Sequence, residues 1–172
     1  MLQMLFPESR LLSRSARLTP PSHRAPLNAT TCCIIKPHVM QQAGPILQAI
    51  QAAGFTVTGL QTFLLDKHTA EEFLEVYKGV SENYGAMVTQ LSSGPCLALE
   101  LAGEQGETAE SVVGRFREVC GPADSVVARL LRPNTIRARF GVDQDLNAVH
   151  CTDLPEDGKL EVEYFFKILQ CH

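Results

Sequence analysis

The order of β-prone and helical segments along the chain limits it to few architectures. Residues 31–35 form a short apolar run closed by a Lys-Pro pair, and residues 55–65 alternate between apolar and polar side chains, so both predict strands. Two further strands are expected over residues 96–101 and 147–151, and helical spacing of apolar residues fills the stretches between. This order predicts an α+β fold with a ferredoxin-like βαββαβ core, a four-stranded antiparallel sheet covered by helices.

Local signals place helix ends. The string Thr69-Ala-Glu-Glu72 has the pattern of a capping box and predicts the start of a helix. The string Arg132-Pro133-Asn134 predicts the end of a helical stretch over residues 123–131, because proline cannot continue a helix. The last helix is expected over residues 160–169, where apolar side chains recur on one face.

Residues 1–28 differ from the rest of the chain. They hold four arginines and four prolines with one acidic residue, and the paired Pro20-Pro21 is incompatible with a continuous helix. An Arg-rich, Ser-rich, acid-poor leader is typical of a mitochondrial transit peptide, but the same composition also fits a disordered leader that carries no address. We favour the disordered leader, and we predict one ordered domain over residues 29–170.

Charge and cysteine content argue against several functions. The formal net charge of −4 gives no reason to expect affinity for nucleic acid or acidic membranes. No apolar run reaches the roughly 20 residues that span a bilayer. None of the six cysteines forms a CxxC pair, and Cys32-Cys33 sits inside an apolar run, so reduced, buried thiols are expected rather than a zinc ribbon or a disulfide framework.

Five short motifs resemble one family. The stretch Asn147-Ala-Val-His150-Cys-Thr152-Asp153 resembles the signature of nucleoside diphosphate kinases, in which N-x-x-H-G-S-D surrounds the histidine that becomes phosphorylated. Their order along the chain also matches, and the resemblance covers about residues 31–169. The other four motifs are Ile35-Lys36-Pro37, Ser93-Gly94-Pro95, the block from Arg132 to Arg137, and Leu160-Glu161.

A closer resemblance points to one branch of this family. The strings His150 to Gly158 and Tyr164 to Leu169 are similar to the second kinase domain of a branch linked to microtubule-organising centres and ciliary axonemes. Full-length members of that branch have a preceding domain, so this chain resembles a short isoform, a fragment or a divergent paralogue. The resemblance implies a cytoplasmic location, with the centrosome, cytoskeleton or cilium as candidate sites and the mitochondrion less favoured.

The resemblance implies transfer of the γ-phosphate of ATP to nucleoside diphosphates through a phosphohistidine at His150. Histidine suits this role because its ordinary pKa near 6.5 leaves the neutral ring abundant at neutral pH. A lone histidine at a strand end would otherwise be read as a packing residue. Glu161 matches the carboxylate that holds the second ring nitrogen, and Thr152 stands where the family has a serine that can bond that carboxylate.

The same resemblance assigns the nucleotide-binding residues. Lys36, Arg117 and Arg137 match cations that bind phosphate, although the nearby Arg115 competes with Arg117 for its place. Asn147 matches an asparagine that bonds the sugar hydroxyl. Mg²⁺ is expected on the phosphates of the nucleotide, with few protein ligands.

Three positions depart from the family pattern. Leu74 replaces a tyrosine near the active histidine, Ala123 replaces a phosphate-contacting threonine, and Tyr84 is predicted to replace the phenylalanine that stacks on the base. Two weakened contacts of about 1 kcal/mol each would slow turnover roughly tenfold or more. The chain also ends at His172 without the longer tail of hexameric members, which puts a hexamer in doubt. An active kinase and a nucleotide-binding scaffold of a microtubule-organising or ciliary complex are therefore both kept.

Overall fold

The computed structural model describes residues 29–171, so the predicted leader over residues 1–28 lies outside the described residues. Among the described residues, no helix is long and apolar enough to cross a membrane. The strands are β1 (Thr30–Ile35), β2 (Thr56–Leu64), β3 (Pro95–Ala102) and β4 (Val149–Cys151). The α-helices are α1 (Ala43–Ala52), α2 (Lys67–Phe73), α3 (Tyr84–Leu91), α4 (Ala109–Cys120), α5 (Ser125–Leu131), α6 (Ile136–Phe140) and α7 (Asp157–Glu163).

The four strands form one antiparallel sheet in the order β2-β3-β1-β4. β1 lies between β3 and β4, and its residues Thr31 to Ile35 are all buried. This position explains why β1 is a continuous apolar run, because a central strand covered on both faces has no side for polar residues. The predicted ferredoxin-like α+β fold is confirmed.

Each face of the sheet carries its own hydrophobic cluster. On one face Cys33 and Ile35 of β1 pack with residues of α1 and α4, including Phe116. On the other face Cys32 and Ile34 pack with residues of α2, α3 and α7. The alternation of side chains along β1 therefore divides the core into two layers of helices. In β4, Val149 and Cys151 belong to the first cluster, whereas the ring of His150 lies against Phe73 of α2.

Three local predictions need correction. The capping box at Thr69 is wrong, because α2 begins at Lys67 and its N-cap is Asp66, which accepts a hydrogen bond from the Thr69 amide at 2.8 Å. The predicted break after residue 131 is present, but the chain then forms the short helix α6, which no sequence pattern predicted. The last helix ends at Glu163, earlier than predicted, and a π-helical turn over Tyr164–Ile168 continues it.

Candidate active site

A strained turn brings His150 to the edge of the sheet. The Val149 amide donates to the Asn147 carbonyl at 2.9 Å, and the intervening Ala148 has a φ of 72°. A hydrogen bond between residues i and i+2 around a residue of positive φ is a γ-turn of the rare kind, which a non-glycine residue adopts at a cost of about 1–3 kcal/mol. Such strain persists where the surrounding structure fixes the chain. Here the turn lets Asn147 and His150 face the same cavity.

His150 and Glu161 form the centre of the site. Nε2 of His150 lies 3.1 Å from both carboxylate oxygens of Glu161. The Thr152 hydroxyl donates to Glu161 Oε2 at 2.8 Å and accepts a hydrogen bond from the Cys32 amide at 3.0 Å. The carboxylate therefore fixes the ring with Nε2 as the protonated nitrogen, which leaves the lone pair on Nδ1. The three catalytic residues predicted from the sequence lie together.

A close approach of α7 to β1 sets the position of Glu161. A Cβ added to Gly158 would lie 2.8 Å from the Thr30 carbonyl oxygen, a distance that real Cβ atoms essentially never show. Glycine thus lets the start of α7 lie against the strand. Glu161 follows one turn later on the same helix face and reaches the ring across the sheet edge.

Burial and charge act against each other on His150. Burial lowers the pKa of the His150 ring, but the charge and hydrogen bond of Glu161 outweigh it, so the pKa is raised above its ordinary value. The ring therefore loses its proton at a higher pH than an ordinary histidine does. The neutral form, which is the nucleophilic one, gains population as the pH rises through that value.

The predicted cations and His150 line one cavity of about 500 Å³, a volume typical of small-molecule sites. Its walls come from α2, α3, α4, the loops around residues 121–123 and 144–147, and β4. The residues that the sequence predicted and that the structure brings to this cavity are Lys36, Arg117, Arg137, Asn147 and His150.

Lys36 is a buried cation at the end of β1. Its Nζ donates to the Asp145 carbonyl at 3.3 Å. Burial and the nearby charge of Arg137 lower the pKa of Lys36 to about 8. An anion bound in the cavity would stabilise the charged form of Lys36, so this environment suits phosphate.

Arg137 extends from α6 and is held by backbone carbonyls. Its guanidinium donates to the Gly121 carbonyl at 2.9 Å and to the Val149 carbonyl at 3.1 Å, and its Nη2 lies 3.6 Å from Cys151 Sγ. Because both carbonyls are neutral, they fix the side chain without cancelling its charge. Arg137 is thus a rigid positive group at the cavity wall.

The structure separates Arg117 from its competitor. Arg117 lines the cavity, donates to the Asp153 carbonyl at 3.0 Å and forms an ion pair with the Asp153 carboxylate. Arg115 instead binds Glu107 at 2.8 Å and lies over the Phe55 ring. Of these two arginines, only Arg117 is in a position to meet a ligand in the cavity.

Asn147 meets the cavity with one open acceptor. Its Nδ2 donates to the Ala123 carbonyl at 3.0 Å, which fixes the amide orientation. Its Oδ1 is buried and has no hydrogen-bond partner among the described residues. A buried polar atom without a partner is costly, so a donor on a bound ligand would stabilise this arrangement.

The prediction for Tyr84 does not fit its position. Tyr84 packs against the cluster on the α7 face, and its hydroxyl donates to the Glu71 carbonyl at 3.3 Å. It is not among the residues that line the cavity, whereas Asn83 and Met87 are. Asn83 and Met87 are four residues apart, so they lie on the same helix face, which here faces the cavity. Tyr84 therefore points in a different direction. A base-stacking role for Tyr84 is therefore unsupported.

Three cavity residues were missed as functional candidates. Phe73 and Tyr77 were not predicted as site residues, yet their rings meet His150 edge-on at centroid distances of 5.2 and 6.5 Å. The Tyr77 hydroxyl donates to the carboxylate of Asp153, the residue that also pairs with Arg117. The spacing of four between Phe73 and Tyr77 was the available signal, but it does not tell a core face from a cavity wall.

The chain belongs to the nucleoside diphosphate kinase family, since the family described by that name matches residues 29–170. It is 54% identical over 151 residues to "Nucleoside diphosphate kinase homolog 7" of Mus musculus and 52% identical to the protein of that name in Rattus norvegicus. These similarities confirm the branch predicted from residues 150–158 and 164–169. The alignments cover 87% of this chain but 37% of each relative, so the chain spans about a third of their length.

A shorter relative aligns over nearly its whole length. The "Nucleoside diphosphate kinase" of Aquifex aeolicus is 36% identical over 142 residues, which is 81% of this chain and 95% of that protein. Its orthorhombic crystal structure superposes with a TM-score of 0.73, covering 81% of this chain and 96% of that one. The fold described above is thus the fold of this family.

Proposed function

We propose that the chain is a nucleoside diphosphate kinase domain that transfers the γ-phosphate of ATP to nucleoside diphosphates through a phosphohistidine at His150. The observation that carries the proposal is the occupation of Nε2 by Glu161. It leaves Nδ1 as the nucleophile in a cavity that Lys36, Arg117 and Arg137 also line. A nucleophile beside fixed cations is what phosphoryl transfer requires.

Each residue then has one task. Nδ1 of His150 attacks the γ-phosphorus, the bond from that phosphorus to the bridging oxygen breaks, and ADP leaves. Lys36 and Arg137 hold the charge that spreads over the phosphoryl oxygens. Glu161 keeps its hydrogen bond to Nε2 and stabilises the ring as it gains positive character. A second nucleotide takes the phosphoryl group in the reverse step, which makes the kinetics ping-pong.

Mg²⁺ fits this cavity as an ion carried by the nucleotide. Asp145 and Asp153 both line the wall, but no group of three His, Cys, Asp or Glu side chains among the described residues could hold a metal. Hard cations of this size prefer phosphate and water oxygens with one or two carboxylates. When bound, Mg²⁺ would neutralise charge on the phosphates, and Asp145, with one buried oxygen that lacks a partner, is the carboxylate best placed to join it.

A second candidate function rests on the departures. Leu74 lines the cavity as a buried apolar side chain where a tyrosine was expected, and Ala123 adds no hydroxyl to it. Arg117 is engaged by Asp153. These features favour a weak or inactive domain that binds nucleotide as part of a microtubule-organising or ciliary complex in the cytoplasm. Those partners and that location stay predictions from the family resemblance.

Labelling with γ-labelled ATP separates the two functions. We expect label that is lost in acid and stable in base, as for phosphohistidine, and none in His150→Asn. His68→Asn is the matched control, because His68 is exposed on α2 and should leave labelling intact. Nucleotide binding without label in the wild-type protein would establish the scaffold instead. Label that survives in His150→Asn would overturn the mechanism.

A further inference from the structure

The hydrogen bonds of His150 leave one torsion of its side chain weakly restrained. Its backbone pairs with Ile34 of β1, and both carboxylate oxygens of Glu161 lie 3.1 Å from Nε2. In an imidazole, Nε2 lies closer to the line of the Cβ–Cγ bond than Nδ1 does, so rotation about that bond moves Nδ1 farther. This torsion is soft, because its energy wells are broad. The carboxylate therefore fixes the tautomer more firmly than the direction of the Nδ1 lone pair.

Phe73, the last residue of α2, contacts the ring that this rotation would turn. The two ring centroids are 5.2 Å apart and the ring planes are inclined by 77°, which is a close perpendicular pair. Tyr77 meets the same imidazole at 6.5 Å and 84°, and both aromatic residues line the cavity. Because rotation of one ring disturbs a perpendicular contact, the nearer ring of Phe73 opposes the soft rotation of His150.

The core in turn holds Phe73 in place. Its ring lies 5.0 Å from the ring of Phe165, which is fully buried, and 5.7 Å from the ring of Tyr164. The Tyr164 hydroxyl donates to the Glu72 carboxylate at 2.9 Å, which ties the π-helical turn to α2. A side chain locked by packing can orient a neighbouring functional group. Phe73 thus connects the hydrophobic cluster on this face of the sheet to the ring of His150.

We propose that Phe73 is a positioning residue, which sets the plane of the His150 ring and so aims Nδ1 into the cavity. The inference rests on the proposed function, because the direction of Nδ1 matters only if this atom is the nucleophile. Phe73 supplies neither charge nor a hydrogen bond. Its loss should therefore leave the hold of Glu161 on the ring proton and the phosphate-binding cations unchanged. Glu161 controls the proton of the ring, and Phe73 controls its orientation.

Phe166 offers a matched comparison within the same hydrophobic cluster. Like Phe73 it is partly buried, and it packs edge-on against Phe63 at 6.5 Å. It does not line the cavity, and among the described residues it forms no ring pair with His150. Replacement by leucine removes aromatic packing at either position. Only at Phe73 should the change reach the nucleophile.

The kinetic test is single-turnover labelling of Phe73→Leu with γ-labelled ATP. The rate should fall roughly tenfold, since a misdirected nucleophile loses part of the gain from orientation. The final label per molecule, the ADP affinity and the pH at which the rate rises should stay at the wild-type values, because Glu161 still controls the ring proton. Phe166→Leu should keep the wild-type rate. Less label at an unchanged rate in Phe73→Leu would reveal lost folded protein only, and would overturn the proposal.

NMR relaxation of the Cε1–H group of His150, in the whole chain labelled with ¹³C-histidine, measures ring order without any kinase activity. The order parameter should be high in the wild-type protein and lower in Phe73→Leu, while that of the exposed His68 stays the same. An order parameter that Phe73→Leu leaves unchanged would refute the inference. A wild-type His150 ring as mobile as that of His68 would refute it too, so a variant that fails to fold leaves the test intact. Absence of label in the wild-type protein would instead refute the proposed function.

Discussion

The two faces of β4 differ in how their polar side chains are held. On one face, His150 has its Nε2 bound by Glu161, and Thr152 bonds the same carboxylate. On the other face, Cys151 contacts Arg137, whose remaining hydrogen bonds go to neutral carbonyls. The histidine face therefore pairs a base with a fixed anion, whereas on the cysteine face no carboxylate of the described residues forms an ion pair with Arg137.

This difference separates the two requirements of phosphoryl transfer. The nucleophile needs its ring oriented and its proton controlled, which a carboxylate achieves. The phosphate site needs positive charge that no fixed anion neutralises before the ligand arrives. Because side chains alternate along a strand, two neighbouring residues of β4 can serve these opposed requirements within one site.

The largest effect should come from removing the anion on the histidine face. In Glu161→Gln the main charge that raises the pKa of His150 is gone while burial still lowers it, so the pKa should fall. The labelling rate should drop about 10–100-fold, as expected for a lost charge-assisted hydrogen bond of about 1.5–3 kcal/mol. The pH at which the labelling rate rises should also move to a lower value. Single-turnover labelling across roughly pH 5–9, the range in which histidines titrate, would measure this shift.

Glu163→Gln is the control for that variant. Glu163 lies on the same helix but bonds Lys167 at 2.7 Å, away from the ring. It should keep the wild-type rate and pH profile. An unchanged pH profile in Glu161→Gln would show that this carboxylate does not affect the pKa of His150.

The second largest effect concerns Lys36 and the pH dependence of ADP binding. The pKa of Lys36 is lowered to about 8, and phosphate binding requires its charged form. ADP affinity should therefore fall as the pH rises through that value, by about tenfold one unit above it if only charged Lys36 binds. Calorimetry in buffers of different ionisation enthalpy should also detect proton uptake on binding near pH 8.

Lys36→Met should bind ADP weakly at neutral pH and lose this proton uptake. Lys159→Met is the matched control, because Lys159 is exposed on α7 and makes only a long ion pair with Glu163. Proton uptake that persists in Lys36→Met would assign the titrating group elsewhere.

The sequence predicted the histidine face better than the rest of the site. His150, Glu161 and Thr152 were assigned by resemblance to the family signature, and the structure places them together where β4 meets α7. Arg117 was preferred over Arg115 by resemblance alone, and only the packing of α4 separates them. Tyr84 was misplaced because the direction of a short helix face depends on tertiary contacts. Helix α6 was missed because five residues are too few to show a periodicity.

The smallest effect is expected at Tyr77, which the motif did not include. Its hydroxyl donates to Asp153 beside the ring of His150, in the region where Leu74 supplies no hydroxyl. Tyr77→Phe removes one hydrogen bond but leaves Asp153 paired with Arg117, so labelling should slow only roughly 2–10-fold, as for a hydrogen bond of about 0.5–1.5 kcal/mol. Tyr164→Phe loses a comparable bond to Glu72 outside the cavity and should label at the wild-type rate. Equal labelling rates in the two variants would show that Tyr77 only packs against the ring. The functional residues of the histidine face other than Phe73 would then be those predicted from the sequence, His150, Glu161 and Thr152.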